Sequence, residues 1–490
     1  MESVSLGLFT VTVALIGIVT IVASLLSGLI ERSGLPQVAI FLLLGLLLGP
    51  SGLGLLDFPL HSATLAVIAT LALVLVLFSD ALSVNVGDLR NQRALALLVL
   101  GPGTIITAAL TGFAAWALLG FRPAGAAVLG AALASTDPVI LRALLRPPDF
   151  PRSARLALRL ESGMNDVVLL PIVVLVMRFV TGTGSSVPQA SAADWGQSLI
   201  GLFLLGPGLG ALVGWIAIAA LDRVRSTLGM RRDYESLYAL GVALSAYAAA
   251  DAVGGSGFLA AFAAGLVVAA TDVELCDCFF DYGDATAEMF LLLTFVALGT
   301  SAIWIGLTVF DWRTILFAVI ALGARTAVLV PILHLPILRR AGVDARSRRL
   351  VAWFGPRGLS TLLLALLPVF AGVPGSDHLF AVAALVVVLS IVVHGTAIAV
   401  YLRRETLTAL AGRVPAASTL PAPERITLDD LRALWSSKEP VVLLDVRTDR
   451  AFSGDPRRAR GAIRLAPEEA VRGVQRLDVP KDATIVAFCA

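Results

Sequence analysis

Of 490 residues, 58% are hydrophobic and 15% are charged, with a formal net charge of +2. That balance excludes a soluble protein and points to a polytopic membrane chain with the lipid bilayer as its surroundings and no nucleic-acid partner. The three cysteines, Cys276, Cys278 and Cys489, make no disulfide framework and fit a reducing interior.

Apolar runs fall near 5–30, 36–49, 60–82, 94–119, 123–146, 156–180, 195–221, 234–250, 257–271, 285–305, 311–338, 349–371 and 378–402, which predicts thirteen helices. The start, Met1-Glu2-Ser3-Val4, lacks a basic region, so the first run reads as a retained span. Arginine alternates from loop to loop. Loops after odd-numbered runs hold Arg32; Arg90 and Arg93; Arg142, Arg146, Arg152 and Arg155; Arg223, Arg225, Arg231 and Arg232; and Arg339, Arg340, Arg346, Arg348 and Arg349. Loops after even-numbered runs hold little beyond Arg122 and Arg313. Because cytoplasmic loops carry the excess positive charge, this predicts an outside N-terminus and a cytoplasmic C-terminus in a cell (inner) membrane.

The fifth run carries Ser135-Thr136-Asp137-Pro138, whose Pro138 must break a helix at membrane depth. The sixth carries Glu161, Ser162, Asn165 and Asp166. At helical spacing Glu161 and Asn165 share one stripe, and Ser162 and Asp166 the next. Pro171 cannot donate to the Val167 carbonyl, which stays available near Asp166. The seventh run has Gly206, Gly210 and Gly214, a small-residue face for a dimer contact or an internal one. Asp272, Glu274, Asp277, Asp281, Asp284 and Glu288 follow the ninth run as an acidic loop, either a cation-concentrating vestibule or a solvated turn. The twelfth run is interrupted by Gly355-Pro356-Arg357-Gly358; paired broken helices point to a transporter site. His334, His378 and His394 fall near span ends and read as packing or interfacial residues.

Residues 1–404 therefore form a transmembrane domain, 405–423 a linker through Pro415, Pro421 and Pro423, and 424–490 a small soluble α/β unit. The last contains the strand runs Val441-Val442-Leu443-Leu444 and Thr484-Ile485-Val486-Ala487-Phe488, the second ending at Cys489.

Bare carboxylate, hydroxyl and carbonyl oxygens suit a hard monovalent cation or a proton. Asp166 has no cationic residue near it in sequence, and an ionisable group at depth is a functional suspect. Thr136-Asp137-Pro138 with Glu161-Ser162-x-x-Asn165-Asp166 resembles the cation/proton antiporter-1 family over roughly residues 5–403. Leu77-Phe78-Ser79-Asp80-Ala81, Phe295-x-x-x-Gly299-Thr300, Arg325 and Gly355-Pro356-Arg357-Gly358 support the resemblance. It implies an all-α protein of two inverted repeats, spans one to six and eight to thirteen, working as a homodimer.

The resemblance further implies that Asp166 holds a sodium, potassium or lithium ion or a proton, aided by Ser162 and Thr136, with Asp137, Asp80 and Asn165 assisting. It pairs Glu161 with Arg325 for a structural role, and leaves Arg357 either capping the broken helix or facing the ion. A neutral Asn165 before Asp166, and no lysine before Lys438, imply electroneutral exchange of one cation for one proton. No cofactor and no enzymatic reaction are implied beyond the transported ions. The tail resembles a rhodanese-like domain through Leu444-Asp445-Val446-Arg447, Arg460-Gly461-Ala462-Ile463 and Cys489, a partial one because the residues that would cradle a persulfide follow that cysteine. Three rivals remain on the residues alone: a potassium/proton antiporter, a membrane-anchored sulfurtransferase and a passive channel.

Overall fold

The computed structural model of the chain describes residues 13–23, 25, 37–84, 93–145, 150–181, 192–227, 232–271, 277–340, 343–411, 427–436, 440–447, 452, 459–465 and 483–488. Two compact units divide it, Met1–Leu410 and Ala411–Ala490.

In chain order the first helices are α1 (Val13–Ala23), α2 (Gln37–Leu48), α3 (Ala63–Leu82), α4 (Ala94–Leu119), α5 (Pro123–Ala134), α6 (Pro138–Leu145), α7 (Arg152–Thr181) and α8 (Gly196–Thr227). They are followed by α9 (Arg232–Ala252), α10 (Gly257–Ala270), α11 (Asp277–Thr300), a 3-10 segment (Ala302–Val309), α12 (Trp312–Leu333), α13 (Ala345–Trp353), α14 (Leu359–Phe370) and α15 (Ser376–Ala411). Among the described residues, seven helical stretches are long and apolar enough to cross a membrane: α3, α4, α5 with α6, α7, α8, α12 and α15. They become eight if Ala285–Thr300 and Ala302–Val309, bent by 50°, count as one. Against the thirteen predicted, α1, α2, α10, α14 and the apolar part of α9, Leu237–Ala252, are apolar but shorter.

Local chemistry explains where these helices start and bend. The Ser62 hydroxyl accepts the Leu65 N–H at 3.2 Å to open α3, and Asp311 accepts the Thr314 N–H at 2.7 Å to open α12. Asp344 does the same for α13 through Arg346 and Ser347. Pro102 lacks the N–H that a regular turn needs, and α4 widens into a π turn over Val99–Gly103. By contrast α7 runs unbroken through Pro171.

Three expectations change. The acidic stretch is helical from Asp277 onward, and Glu288 accepts from Arg142 at 2.6 Å and from Gln37 at 3.0 Å; Asp272 and Glu274 lie outside the described residues. Helix α15 continues past Arg404 to Ala411, into the stretch read as linker. His394 is buried in the interior of α15, rather than near a span end.

The glycine face of α8 has an internal partner. A Cβ on Gly206, Gly210 or Gly214 would press on Ser256, Ala260 and Ala264 respectively, so the missing side chains let α8 and α10 touch backbone to backbone. Gly208, on the same helix, has nothing within 4 Å. Gly210→Leu should therefore cost about 1–3 kcal/mol or more through overpacking. Gly208→Ala should stay within about 0.5 kcal/mol. Thermal unfolding in detergent checks the pair, and equal melting of the two variants sinks the packing assignment.

The second unit has a helix, α16 (Leu428–Ser436), and a parallel sheet of order β2-β1-β3, from β1 (Val441–Asp445), β2 (Ile463–Arg464) and β3 (Thr484–Phe488). Strands β1 and β3 pair from Val441 with Thr484 to Asp445 with Phe488. At the end of β1 a buried Asp445 pairs with Arg447 at 2.7 Å, which holds the Asp445 carboxyl below the usual carboxylate range. Cys489 lies outside the described residues.

Candidate functional site

Two interrupted helices meet in the first unit. The α5 helix ends at Ala134 and α6 restarts at Pro138; α13 ends at Trp353 and α14 restarts at Leu359. Each interruption strands backbone groups that a regular helix would pair, and burial makes unpaired ones costly. The two breaks meet by direct contact: the Asp137 N–H donates to the Pro356 carbonyl at 2.9 Å.

Charges complete the accounting. Asp137 accepts the Val139 N–H at 2.7 Å and the Leu359 N–H at 2.6 Å, so one carboxylate caps the start of both α6 and α14. Arg357 donates from one nitrogen to the carbonyls of Ala134 at 2.8 Å and Ser135 at 3.1 Å, where α5 ends. Arg325 donates to the Ala352 carbonyl at 3.1 Å near the end of α13, joined by the Thr326 hydroxyl at 2.9 Å. An anion thus sits at two helix starts and a cation at each of two helix ends, as the helix dipole favours. Two glycines make room for this. A Cβ on Gly358 would collide with the Asp137 carboxylate, and one on Gly355 would lie 2.5 Å from Arg325 Cδ.

Helix α7 lies alongside and brings its polar residues into the same region. Glu161 and Arg325 form a buried two-pronged ion pair at 2.6 and 2.5 Å. Asn165 donates from Nδ2 to Thr136 Oγ1 at 2.9 Å, and Ser135 donates to Asp166 Oδ1 at 2.5 Å. Asp80 of α3 approaches from the far side, 3.7 Å from where a Gly163 Cβ would stand. Ser162 donates back to the Leu158 carbonyl at 2.8 Å, within α7.

Some buried polar atoms at the crossing are left over. Asp166 Oδ2 and Asn165 Oδ1 have no partner in hydrogen-bonding geometry, although Ser360 lies beside the Asp166 carboxylate, and Nε and Nη2 of Arg357 have none either. A buried bare acceptor costs free energy comparable to a lost hydrogen bond unless something electropositive meets it. A proton on the carboxylate, or a partly dehydrated monovalent cation at either oxygen, does that. Among the described residues no three histidine, cysteine or carboxylate groups gather into a metal-binding cluster.

The predicted residues Thr136, Asp137, Pro138, Glu161, Asn165, Asp166, Arg325, Gly355, Pro356 and Arg357 all lie at this crossing, with Asp80 and Ser162 at its edge through α3 and α7. Asp137 has both oxygens engaged by backbone amides, and Arg357 faces the end of α5. Sequence reasoning missed Ser135 as the partner of Asp166, and it missed Ser360, buried beside that carboxylate, and Thr361, which donates to the Ser135 carbonyl at 3.3 Å. Ser135 stood in the quoted Ser135-Thr136-Asp137-Pro138 break without being given a role; nothing local marked the other two.

The transmembrane sodium/hydrogen exchanger family model matches residues 17–404. The chain belongs to the sodium/hydrogen exchanger family. Among curated proteins, this exchanger-family chain is 28% identical over 400 residues to the K(+)/H(+) antiporter NhaP of Alkalimonas amylolytica, covering 81% of this chain and 66% of the relative. It is 28% identical over 389 residues to K(+)/H(+) antiporter NhaP2 of Shewanella oneidensis, covering 78% and 64%. It thus spans about two thirds of the length of these relatives. The Na(+)/H(+)-K(+) antiporter GerN of Bacillus cereus is 23% identical over 386 residues, covering 77% and 93%. Among solved structures, the sodium proton antiporter MjNhaP1 of Methanocaldococcus jannaschii superposes with a TM-score of 0.62 at 18% identity, covering 81% of this chain and 100% of that one. The exchanger fold is therefore shared with that protein.

Proposed function

We propose that this chain is a secondary antiporter exchanging a monovalent cation for a proton at Asp166. The Oδ2 of a buried carboxylate, left without a hydrogen-bond partner, carries the reading. A proton and a cation compete for that oxygen, and a site open to one side at a time converts competition into exchange. Thr136 fixes Asn165, Ser135 fixes Asp166, and Ser162 and Asp80 border the site; Asp137 and Arg357 hold the crossing together. One neutral amide and one carboxylate favour an electroneutral exchange of one cation for one proton.

Sodium is the main reading, and potassium the alternative, favoured by relatives named as K(+)/H(+) antiporters. In this proposal the five shorter apolar helices also cross the inner membrane, giving thirteen crossings in two inverted repeats, with the N-terminus outside and the C-terminus in the cytoplasm. The protein works as a homodimer, and residues 424–490 belong to a rhodanese-like domain behind a linker ending at 423.

Proteoliposomes containing a pH-sensitive dye test the reading. Adding sodium, lithium or potassium should move protons in the direction opposite to the cation, saturably and without generating a membrane potential. A response that follows cation concentration linearly would indicate a channel, and none to any cation across pH would remove the antiporter reading.

A further inference from the structure

The second break needs a contact that none of the charges at the crossing supplies. The Arg357 N–H points out of the 354–358 segment and donates to Ser390 Oγ of α15 at 2.7 Å, where Ser390 is fully buried. One helical turn further, His394 Nδ1 lies 3.1 Å from the same hydroxyl. The same Nδ1 lies 3.3 Å from the Ser390 carbonyl, one turn back on α15. Its side chain is 5% exposed, and the charged groups acting on it are two cations, Arg357 and Arg325.

One arrangement of protons makes the contacts continuous. With the imidazole neutral and its Nδ1 unprotonated, the Ser390 hydroxyl donates to Nδ1. The Ser390 oxygen then accepts the Arg357 amide. The chain of bonds runs from His394 through Ser390 of α15 to the residue before Gly358. It pairs a stranded amide that the break would otherwise leave buried.

We propose that His394 and Ser390 are positioning residues that clasp the second broken helix from α15 and thereby fix where Arg357 meets the end of α5. The effect reaches the site through Arg357, which holds the Ser135 carbonyl, while the Ser135 hydroxyl holds Asp166. Neither clasp residue touches the bare oxygens, so its role lies in turnover and not in cation affinity. This inference rests on the antiporter reading.

Four variants test it in proteoliposomes: Ser390→Ala, His394→Leu, His394→Gln and the double Ser390→Ala/His394→Leu. Losing one buried hydrogen bond that orders the site should lower the maximal exchange rate about tenfold in Ser390→Ala and His394→Leu. The half-saturating cation concentration should stay near that of wild type. His394→Gln, which keeps a donor and an acceptor, should stay near wild type in both, and the double variant should be no worse than Ser390→Ala. In parallel, deuterium exchange of the Arg357 amide in detergent should quicken in Ser390→Ala and His394→Leu.

Impairment of His394→Gln equal to that of His394→Leu, additive losses in the double, or unchanged amide exchange in Ser390→Ala would each overturn the clasp. The amide-exchange arm is independent of transport: should wild type move no protons for any cation, the antiporter reading fails while that arm still decides the clasp. Should Ser390→Ala fail to fold, the His394 pair decides it.

Discussion

Asp166→Asn should reduce cation-dependent proton movement to that of protein-free vesicles while leaving the protein folded. The substitution keeps the shape of the side chain and an oxygen that can still accept from Ser135, so the 2.5 Å contact has a replacement. It removes the one property the mechanism needs, a group that carries a proton in one state and a negative charge in the other. An amide does neither. In stability, a buried bare acceptor is exchanged for a buried bare donor, so the change should stay within about 1–2 kcal/mol. Detergent melting and flux measured on the same preparation check both halves. Exchange persisting in Asp166→Asn would move the ion site elsewhere at the crossing, to Asp80 or Asp137; a collapsed protein would make Asp166 a structural residue.

Arg325→Ala is expected to give the largest loss of stability. It strands a buried Glu161 carboxylate that now receives two hydrogen bonds, and it strips one donor from the Ala352 carbonyl at the end of α13. Breaking one partner of a buried pair costs about 3–5 kcal/mol, because an uncompensated charge remains in a low-dielectric interior. Replacing both partners with apolar residues of similar volume removes that penalty, so Glu161→Met/Arg325→Met should melt well above Arg325→Ala. Glu161→Gln should fall between them, since its amide oxygen still accepts from the guanidinium. Thermal unfolding of the three variants orders them. If Arg325→Ala melts with wild type, the pair contributes nothing to folding, and its place beside Gly355 would have to be explained by transport alone.

Much of the candidate site was legible in the chain because polar residues inside apolar runs stand out. Pro138 and the Gly355-Pro356 pair announced the interruptions, since a helix cannot pair its backbone through them. The stripe argument placed Asn165 with Glu161 and Ser162 with Asp166, and all four lie on α7. Their partners are another matter. Asn165 goes to Thr136, Glu161 to Arg325, Asp166 to Ser135, while Ser162 turns back into its own helix. Helical periodicity says which residues share a face; it says nothing of which foreign residue meets that face.

The acidic stretch before Glu288 shows the same boundary from the other side. Charge density suggested a loop, yet the chain is helical from Asp277: a run of carboxylates marks polarity and does not by itself break a helix. His394 was misplaced for a related reason. Counting residues from a span end gives depth along a helix but not what the helix is packed against.

By itself, the sequence determined the membrane class, the two helix interruptions and the set of ionisable residues at depth, because composition, proline chemistry and periodicity are local properties. Only the tertiary structure decided that Asp137 caps two helix starts, that Arg357 closes the end of α5, that the α8 glycines pack internally and that Asp166 keeps one oxygen bare. Those assignments depend on residues more than 200 positions apart, Asp137 with Leu359 and Arg357 with Ala134, approaching closely enough to bond. Gly355 and Gly358 permit that approach by having no side chain, and an absent side chain carries no pattern from which its neighbour can be read.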